Sequence, residues 1–328
     1  MKILITGGAG FIGSHLAESH LQRGDEVLVV DNLSTGLKKN IAPLLKNARF
    51  HFEKADLLTW KNLAKQVQWA DRIYHLAAMV GMYNLLADPV KTITSNILGC
   101  ERLLRVMSES HSHARLIVAS TSEIYGPTSK EFSSEEDIIP FKSAAHSKWS
   151  YATSKFTEEV LSLAYARSKE IRVTLVRLFN TIGPRQCSYY GMVVPRFVKQ
   201  ALCHEPITVY GDGEQTRCFC DVRDVVVALD IIANTPALMG EIINLGRDQL
   251  ISINQLAEMV KKLAHSSSII QHIAYKEAYG QDYEDIMHRR PDLNKLYKYT
   301  AYQFQWDLEK TLLDLIQGSK GLCSRTAI

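Results

Sequence analysis

Over the first half of the chain, apolar residues come in short unbroken runs that alternate with stretches of helical spacing. Lys2–Thr6 is such a run, and it stops at a glycine cluster. A helical pattern follows through Leu21, with Gly24 where a helix stop belongs. Glu26–Val30 is a second run, ending at Asp31; Arg49–Glu53 is a third, closing at Asp56; Arg72–Leu76 is a fourth. Asn96–Ser108 then reads as a helix, Arg115–Ser120 as a strand, Tyr151–Tyr165 as a helix and Arg172–Leu178 as a strand. Continuous apolar runs of this length suit strands buried on both faces. Their alternation with helices predicts βαβ units and a doubly wound parallel sheet, an α/β fold.

The rhythm weakens after Asn180, where short strands near Ile207–Tyr210 and Glu241–Asn244 and a helix near Asn254–Ala264 are expected. The predicted division is a first domain over residues 1–180, rejoined by 215–240, and a smaller substrate-binding lobe from 181–214 and 241–316. Residues 317–328 have lost periodicity and read as a frayed tail.

Composition changes this picture little. A length of 328 residues suggests two domains or one two-lobed unit, and 46% hydrophobic with 22% charged residues is the balance of a soluble globular protein. No apolar run approaches a membrane span, and Met1 and Lys2 lead directly into Ile3–Ile5 without signal-peptide architecture, so a cytoplasmic location is expected. The net charge of +3 comes from scattered basic residues, which excludes a nucleic-acid face. The six cysteines show no C-x-x-C pair and no disulfide-like spacing, and Cys218 and Cys220 read as buried thiols. Eleven histidines without ligand spacing predict no metal.

The first candidate chemistry follows the first strand. Gly7, Gly10 and Gly13 form a G-x-x-G-x-x-G turn between a strand and a helix, with Phe11 and Ile12 at the helix start. Side chains there would block a diphosphate, whereas bare backbone N–H groups at a helix N-terminus can hold one. In this setting the turn predicts a Rossmann-type dinucleotide-binding domain. Asp31 ends the second strand 24 residues after Gly7. A carboxylate there binds both ribose hydroxyls and repels a 2′-phosphate, which favours NAD over NADP; the alternative is that Asp31 caps the next turn. Asn32 beside it, and Asp56 and Leu57 after the third strand, are further candidate cofactor contacts, although Asp56 also suits a helix cap.

Tyr151 and Lys155 are spaced i, i+4 and share one helical face. A tyrosine titrates near ~10, and a neighbouring ammonium is expected to lower that value by stabilising the phenolate. Such a tyrosine can take the proton of a sugar hydroxyl while hydride leaves the same carbon for a nicotinamide. The strand before it ends in Ser120, Thr121 and Ser122.

Taken with His75–Ala78, Ser120–Gly126, Arg177–Pro184, Tyr210–Arg217 and Arg289–Asp292, these motifs resemble the extended short-chain dehydrogenase/reductase superfamily, in its nucleotide-sugar epimerase, dehydratase and decarboxylase branch. The likeness runs from Lys2 to about Leu315. It implies an NAD-dependent enzyme that oxidises C4 of a UDP-hexose or UDP-hexuronate, and a homodimer packed through the helices around Asn96–Ser108 and Tyr151–Tyr165. It assigns Tyr151, Lys155, Thr121 and Glu123 to catalysis, and Leu76, Ala77 and Ala78 to the cofactor. Ser122, Asn180, Val194, Tyr210, Arg217 and Arg289 are assigned to the substrate, with Arg185 a candidate for a uronate carboxylate. Simple 4-epimerases of the branch generally lack an acid at the position of Glu123; Ser122–Glu123 resembles UDP-glucuronate decarboxylases, though some 4,6-dehydratases share it. Decarboxylation is therefore the leading expectation, followed by 4-epimerisation and 4,6-dehydration. A non-catalytic NAD sensor is disfavoured by the intact tyrosine–lysine pair.

Overall fold

The apolar runs become the centre of a seven-stranded, wholly parallel sheet. A computed structural model describes residues 1–81, 87–128, 130–140, 149–187, 192–279 and 286–319. The strands are β1 (Lys2–Thr6), β2 (Glu26–Asp31), β3 (Phe50–Lys54), β4 (Arg72–His75), β5 (Arg115–Thr121), β6 (Val173–Leu178) and β7 (Ile242–Leu245). Their order is β7-β6-β5-β4-β1-β2-β3. From β1 the chain winds outward to β3, then returns to β4 on the other side of β1. That reversal opens a crevice beyond the carboxyl ends of β1 and β4, where doubly wound folds hold ligands.

Alternation within each strand builds two cores. Ile3 and Ile5 enter the layer that includes Leu16 and Leu229, whereas Leu4 enters the opposite layer with Leu103 and Leu104. Both layers are covered by helices, so every inner position of β1 is apolar. The expected helix over Asn96–Ser108 begins earlier, at Pro89, and runs to Glu109. Asp88 caps it by accepting from the Lys91 backbone N–H at 2.9 Å, and Pro89 occupies the first turn, where its missing N–H costs nothing. The helix Trp149–Lys169 packs along it.

The short run placed by its sequence position in the second lobe, Glu241–Asn244, lies instead in the main sheet as β7, parallel to β6. Hydrogen bonds from Leu175 to Glu241 and from Gly240 to Val173 bring it there. The helix Val222–Ala233 packs on the first helix, Phe11–Gln22, joining the dinucleotide half.

The rest of the second lobe has its own core, formed by Phe197, Val209, Leu256 and Leu312 among others. Strand Ile207–Tyr210 pairs with Ile270–Ile273. Strand Thr216–Cys218 lies between Leu250–Ser252 and His288–Arg289, which sets Arg217 directly beside Arg289. The last helix, Leu308–Gly318, takes in the first residues of the expected tail, and residues 320–328 lie outside those described.

Cys100, Cys187, Cys218 and Cys220 are free thiols, but Cys203 is disulfide-bonded, contrary to the reading of the cysteine spacing. Pairing depends on approach in space, which spacing along the chain does not report. Among the described residues no helix is long and apolar enough to cross a membrane.

Candidate active site

A cleft of about 650 Å³ lies over the carboxyl ends of β1, β2, β4 and β5. At its floor the glycine turn is required by sterics. Gly7 has φ +72°, and a Cβ there would stand 2.7 Å from the Ala77 backbone nitrogen; one on Gly13 would stand 2.6 Å from the Gly7 oxygen. Gly10 begins the helix with no side-chain cap, so backbone N–H groups of the first turn face the cleft. This is the geometry that receives a diphosphate. Thr6 Oγ1 and His75 Nδ1 share a hydrogen bond of 2.7 Å that ties the ends of β1 and β4 together.

Asp31 makes local capping contacts and also faces the cleft. Its carboxylate accepts from Ala9 N at 3.0 Å and Leu33 N at 2.8 Å, bracing the glycine loop and the turn after β2. It also lines the cleft, and burial raises its pKa against the pull of those two backbone donors. Asn32 donates to Asp56 at 2.9 Å, and Asp56 accepts from Leu58 N, so this pair shapes the end of the cleft beside β2 and β3. Leu57, Leu76, Ala77 and Ala78 give it an apolar wall, and Phe11 and Ile12 line it at the helix start.

At the opposite end, β5 delivers Thr121, Ser122 and Glu123, and helix Trp149–Lys169 delivers Tyr151 and Lys155. The Thr121 hydroxyl accepts from Glu123 N at 3.2 Å, and Thr121 and Tyr151 line the same end of the cleft. A buried network sets the helix on the sheet. Arg177 on β6 grips both oxygens of Glu159 at 3.0 and 2.8 Å, and Ser120 donates to the same carboxylate at 2.6 Å. Arg177 also donates to the Tyr125 hydroxyl at 3.0 Å, which donates to Asn244 at 2.6 Å. Asn96 reaches from the neighbouring helix to Ser154 at 3.1 Å. These positioning residues are missing from the sequence reading; the visible signal was two consecutive acids, Glu158 and Glu159, a helical turn after Lys155.

The expected downward shift of Tyr151 is not the direction found in this structure. Burial holds Tyr151 well above the ordinary range, and the charges of Glu123 and Glu158 push it further; the Thr121 hydroxyl and Arg289 pull the other way. The Lys155 ammonium is bound instead by Glu158, 2.6 Å from its Nζ, in a pair with almost no solvent exposure. A neutralised ammonium stabilises a phenolate less than a bare one does.

The second lobe closes the cleft with Asn180, Val194, Arg217 and Arg289. Asn180 donates to the Cys218 carbonyl at 2.9 Å, and Arg217 donates to the carbonyls of Thr216 and Ile286 at 2.8 and 2.7 Å. Arg289 points at the catalytic end: its guanidinium lies 3.5 Å from Ser122 Oγ and 3.8 Å from Glu123 Oε1. Two expected substrate residues have protein partners of their own. Tyr210 does not line the cleft, and the Arg196 guanidinium stacks 3.7 Å from its ring centre. Arg185 lines the cleft but pairs with Glu18 of the first helix, on the dinucleotide side. Residues 283–285, part of the acidic and aromatic approach to Arg289, lie outside those described.

A glycine cradle at a topological switch point, with a tyrosine, a threonine and a lysine at its far end, defines a dinucleotide-dependent oxidoreductive site. Comparison with known proteins narrows the class. A model described as "NAD dependent epimerase/dehydratase family" matches residues 3–246, and the chain belongs to that family. It is an enzyme, and its cofactor is NAD. It is 38% identical over 317 residues to the UDP-N-acetyl-alpha-D-glucosaminuronate decarboxylase of Bacillus cytotoxicus, covering 96% of this chain and 97% of that one. It is 35% identical to UDP-glucuronic acid decarboxylase 1 of Arabidopsis thaliana over 94% of this chain, spanning 66% of that protein. Among solved structures, the UDP-glucuronic acid 4-epimerase of Bacillus cereus in complex with NAD superposes with a TM-score of 0.86 at 30% identity, covering 98% of this chain and 100% of that one.

Proposed function

We propose that the enzyme decarboxylates a UDP-hexuronate through a C4 ketone. The observation that carries this reading is the meeting of Glu123 and Arg289, 3.8 Å apart, in the cleft that Thr121 and Tyr151 also line. Two relatives named as UDP-uronate decarboxylases support it. NAD held over the glycine turn and Asp31 would supply the hydride acceptor for C4. Tyr151 takes the proton of the C4 hydroxyl, which Thr121 orients, and the carbon becomes a ketone. A C6 carboxylate is then β to that ketone. The C5–C6 bond breaks, its electrons pass to the C4 oxygen, carbon dioxide leaves, and a proton returns to C5. Arg289, whose planar fork can bind two oxygens at once, holds the anionic part of the substrate beside Ser122 and Glu123. Arg217 and Asn180 serve the diphosphate end.

The test is to incubate the NAD-loaded protein with UDP-glucuronate and, separately, with UDP-N-acetylglucosaminuronate, following products by NMR. A UDP-pentose or its 4-keto precursor with release of carbon dioxide establishes decarboxylation, and the two substrates settle the C2 substituent. A second reading, 4-epimerisation of the uronate, is favoured by the end-to-end match to the Bacillus cereus epimerase. UDP-galacturonate as the sole product would establish that reading and reduce Glu123 to a loop-ordering residue. Dehydration would require a hexose retaining its C6 oxygen, and UDP-glucose tests it.

The proposal includes a homodimer working in the cytoplasm. Helices Pro89–Glu109 and Trp149–Lys169 pack together yet leave Leu98 50% and Val160 52% exposed, an apolar outer face on a helix pair. Leu98→Glu together with Val160→Glu should convert a dimer to a monomer in light scattering; a wild-type monomer would remove this part, and cell fractionation tests the location.

A further inference from the structure

Behind the tyrosine–lysine pair, three elements bring a cluster of buried polar groups together. Its groups are Lys155 and Glu158 on the catalytic helix, His75 at the end of β4 and Cys100 on helix Pro89–Glu109, all at most 2% exposed. His75, Cys100 and Glu158 bring one nitrogen, one sulfur and one oxygen within 4.8 Å of one another. That set does not argue for a metal, because the Lys155 ammonium already lies 2.6 Å from the carboxylate and would repel a second cation. Nor is the carboxylate fully engaged. Glu158 Oε1 and His75 Nε2 are both buried without a hydrogen-bond partner among the described residues.

A carboxylate here is costly. Burial away from water disfavours its charge, and Glu159, one residue away, adds like-charge repulsion. A group retained under those conditions beside the catalytic lysine needs a role beyond packing. Building on the oxidoreductive reading of the site, we propose that Glu158 is a positioning residue: it anchors the Lys155 ammonium and, according to whether it holds a proton, sets how much of that ammonium's charge reaches Tyr151.

The surroundings fit a single adjustable charge. Burial drives His75 down to about 3, so it is neutral at physiological pH. Burial and the charge of Glu158 push the Cys100 thiol far up, so it stays protonated. Glu159 is occupied by Arg177 and Ser120. Burial raises Glu158, against the pull of Lys155, to about 7. With Glu158 ionised, the pair is neutral and the carboxylate itself raises Tyr151. With Glu158 protonated, the ammonium is uncompensated and stabilises the phenolate. The proton on Glu158 and the proton on Tyr151 are thereby coupled with opposite sense, and the base is buffered against acid.

The experiment compares wild type, Glu158→Gln and Glu158→Asp, each loaded with NAD. The Tyr151 tyrosinate is read by ultraviolet difference titration against the corresponding Tyr151→Phe protein, and the acid limb of kcat/KM is measured in parallel. Glu158→Gln should move both midpoints to lower pH by about one unit, the lower end of what an unpaired neighbouring charge does. Glu158→Asp, which keeps the charge, should stay near wild type. Equal midpoints in all three proteins, with only the level of activity changed, would reduce Glu158 to packing and overturn the proposal. Should the glutamine variant not fold, a carbon-13 titration of glutamate carboxyls in the wild type decides: a resonance titrating near 7 that moves in Lys155→Met supports the proposal, and carboxyls that all titrate in the ordinary range overturn it. The tyrosinate titration needs no substrate, so a wrong assignment of decarboxylation would change the product without touching this result.

Discussion

The two halves of the cleft are built by different means. On the dinucleotide side, the turns that shape the cleft are closed by residues close in sequence: Gly13 against Gly7, and Leu33 against Asp31. On the substrate side, Arg217 and Arg289 are far apart in the chain and become neighbours only because strand His288–Arg289 pairs with Thr216–Cys218. Local turns can be read as motifs because the backbone geometry they need is written in adjacent residues. A site assembled by strand pairing leaves no such spacing, so the chemistry common to a family is easier to read than the step that distinguishes its members.

Four changes would break or sharpen that contrast. The largest effect belongs to the local half. Tyr151→Phe should lower kcat by on the order of a thousandfold or more while NAD still binds, measured by turnover and calorimetry. Retained turnover would mean that another group is the base.

Next comes the support behind that half. Arg177→Met strands the Glu159 carboxylate, which is buried with Arg177 in a bidentate pair. Breaking a buried pair from one side costs about 3–5 kcal/mol in urea unfolding. A loss near zero would show that the helix carrying Tyr151 is held by local packing alone.

The dryness of the switch point gives a pH dependence. The folded-state pKa of His75 is about 3, below the ordinary 6.5, so the unfolded chain binds its proton first as pH falls. The stability from neutral His75 is therefore complete above 6.5, erodes between 6.5 and about 3, and is gone below. The loss is at most on the order of 5 kcal/mol. His75→Asn should flatten that part of the urea midpoint–pH curve.

The smallest effect falls on the substrate half. Arg289→Gln should reduce kcat/KM by roughly ten- to a hundredfold, the range of one charge-assisted contact, with NAD affinity unchanged. A loss of NAD binding instead would mean that Arg289 serves the cofactor, and the two halves would no longer be separable.

Legibility in the sequence follows the same line. The parallel sheet, its strands and the glycine turn were readable because continuous apolar runs and helical spacing are properties of contiguous segments. The early start of helix Pro89–Glu109 was also written locally, in Asp88 and Pro89, although the apolar pattern pointed to a start at Asn96. The placement of β7 was not readable, since a four-residue apolar run names a strand without naming its partner. Tyr210 illustrates the other limit. Its motif suggested a substrate contact, but the side chain is taken by Arg196 from a helix whose approach no spacing reveals.

By itself the sequence determined the class of enzyme: a strand, a glycine turn, an acid at the end of the next strand, and a tyrosine and lysine one helical turn apart. Each is a short-range pattern whose geometry follows from backbone sterics and helical periodicity. Only the tertiary structure decided how those groups are charged. It turned Lys155 toward Glu158, buried both away from water, and set Arg289 above Glu123 from a distant strand. Charge in a protein interior depends on which groups lie within a few ångströms and on how little water remains, and neither is a property of neighbours along the chain.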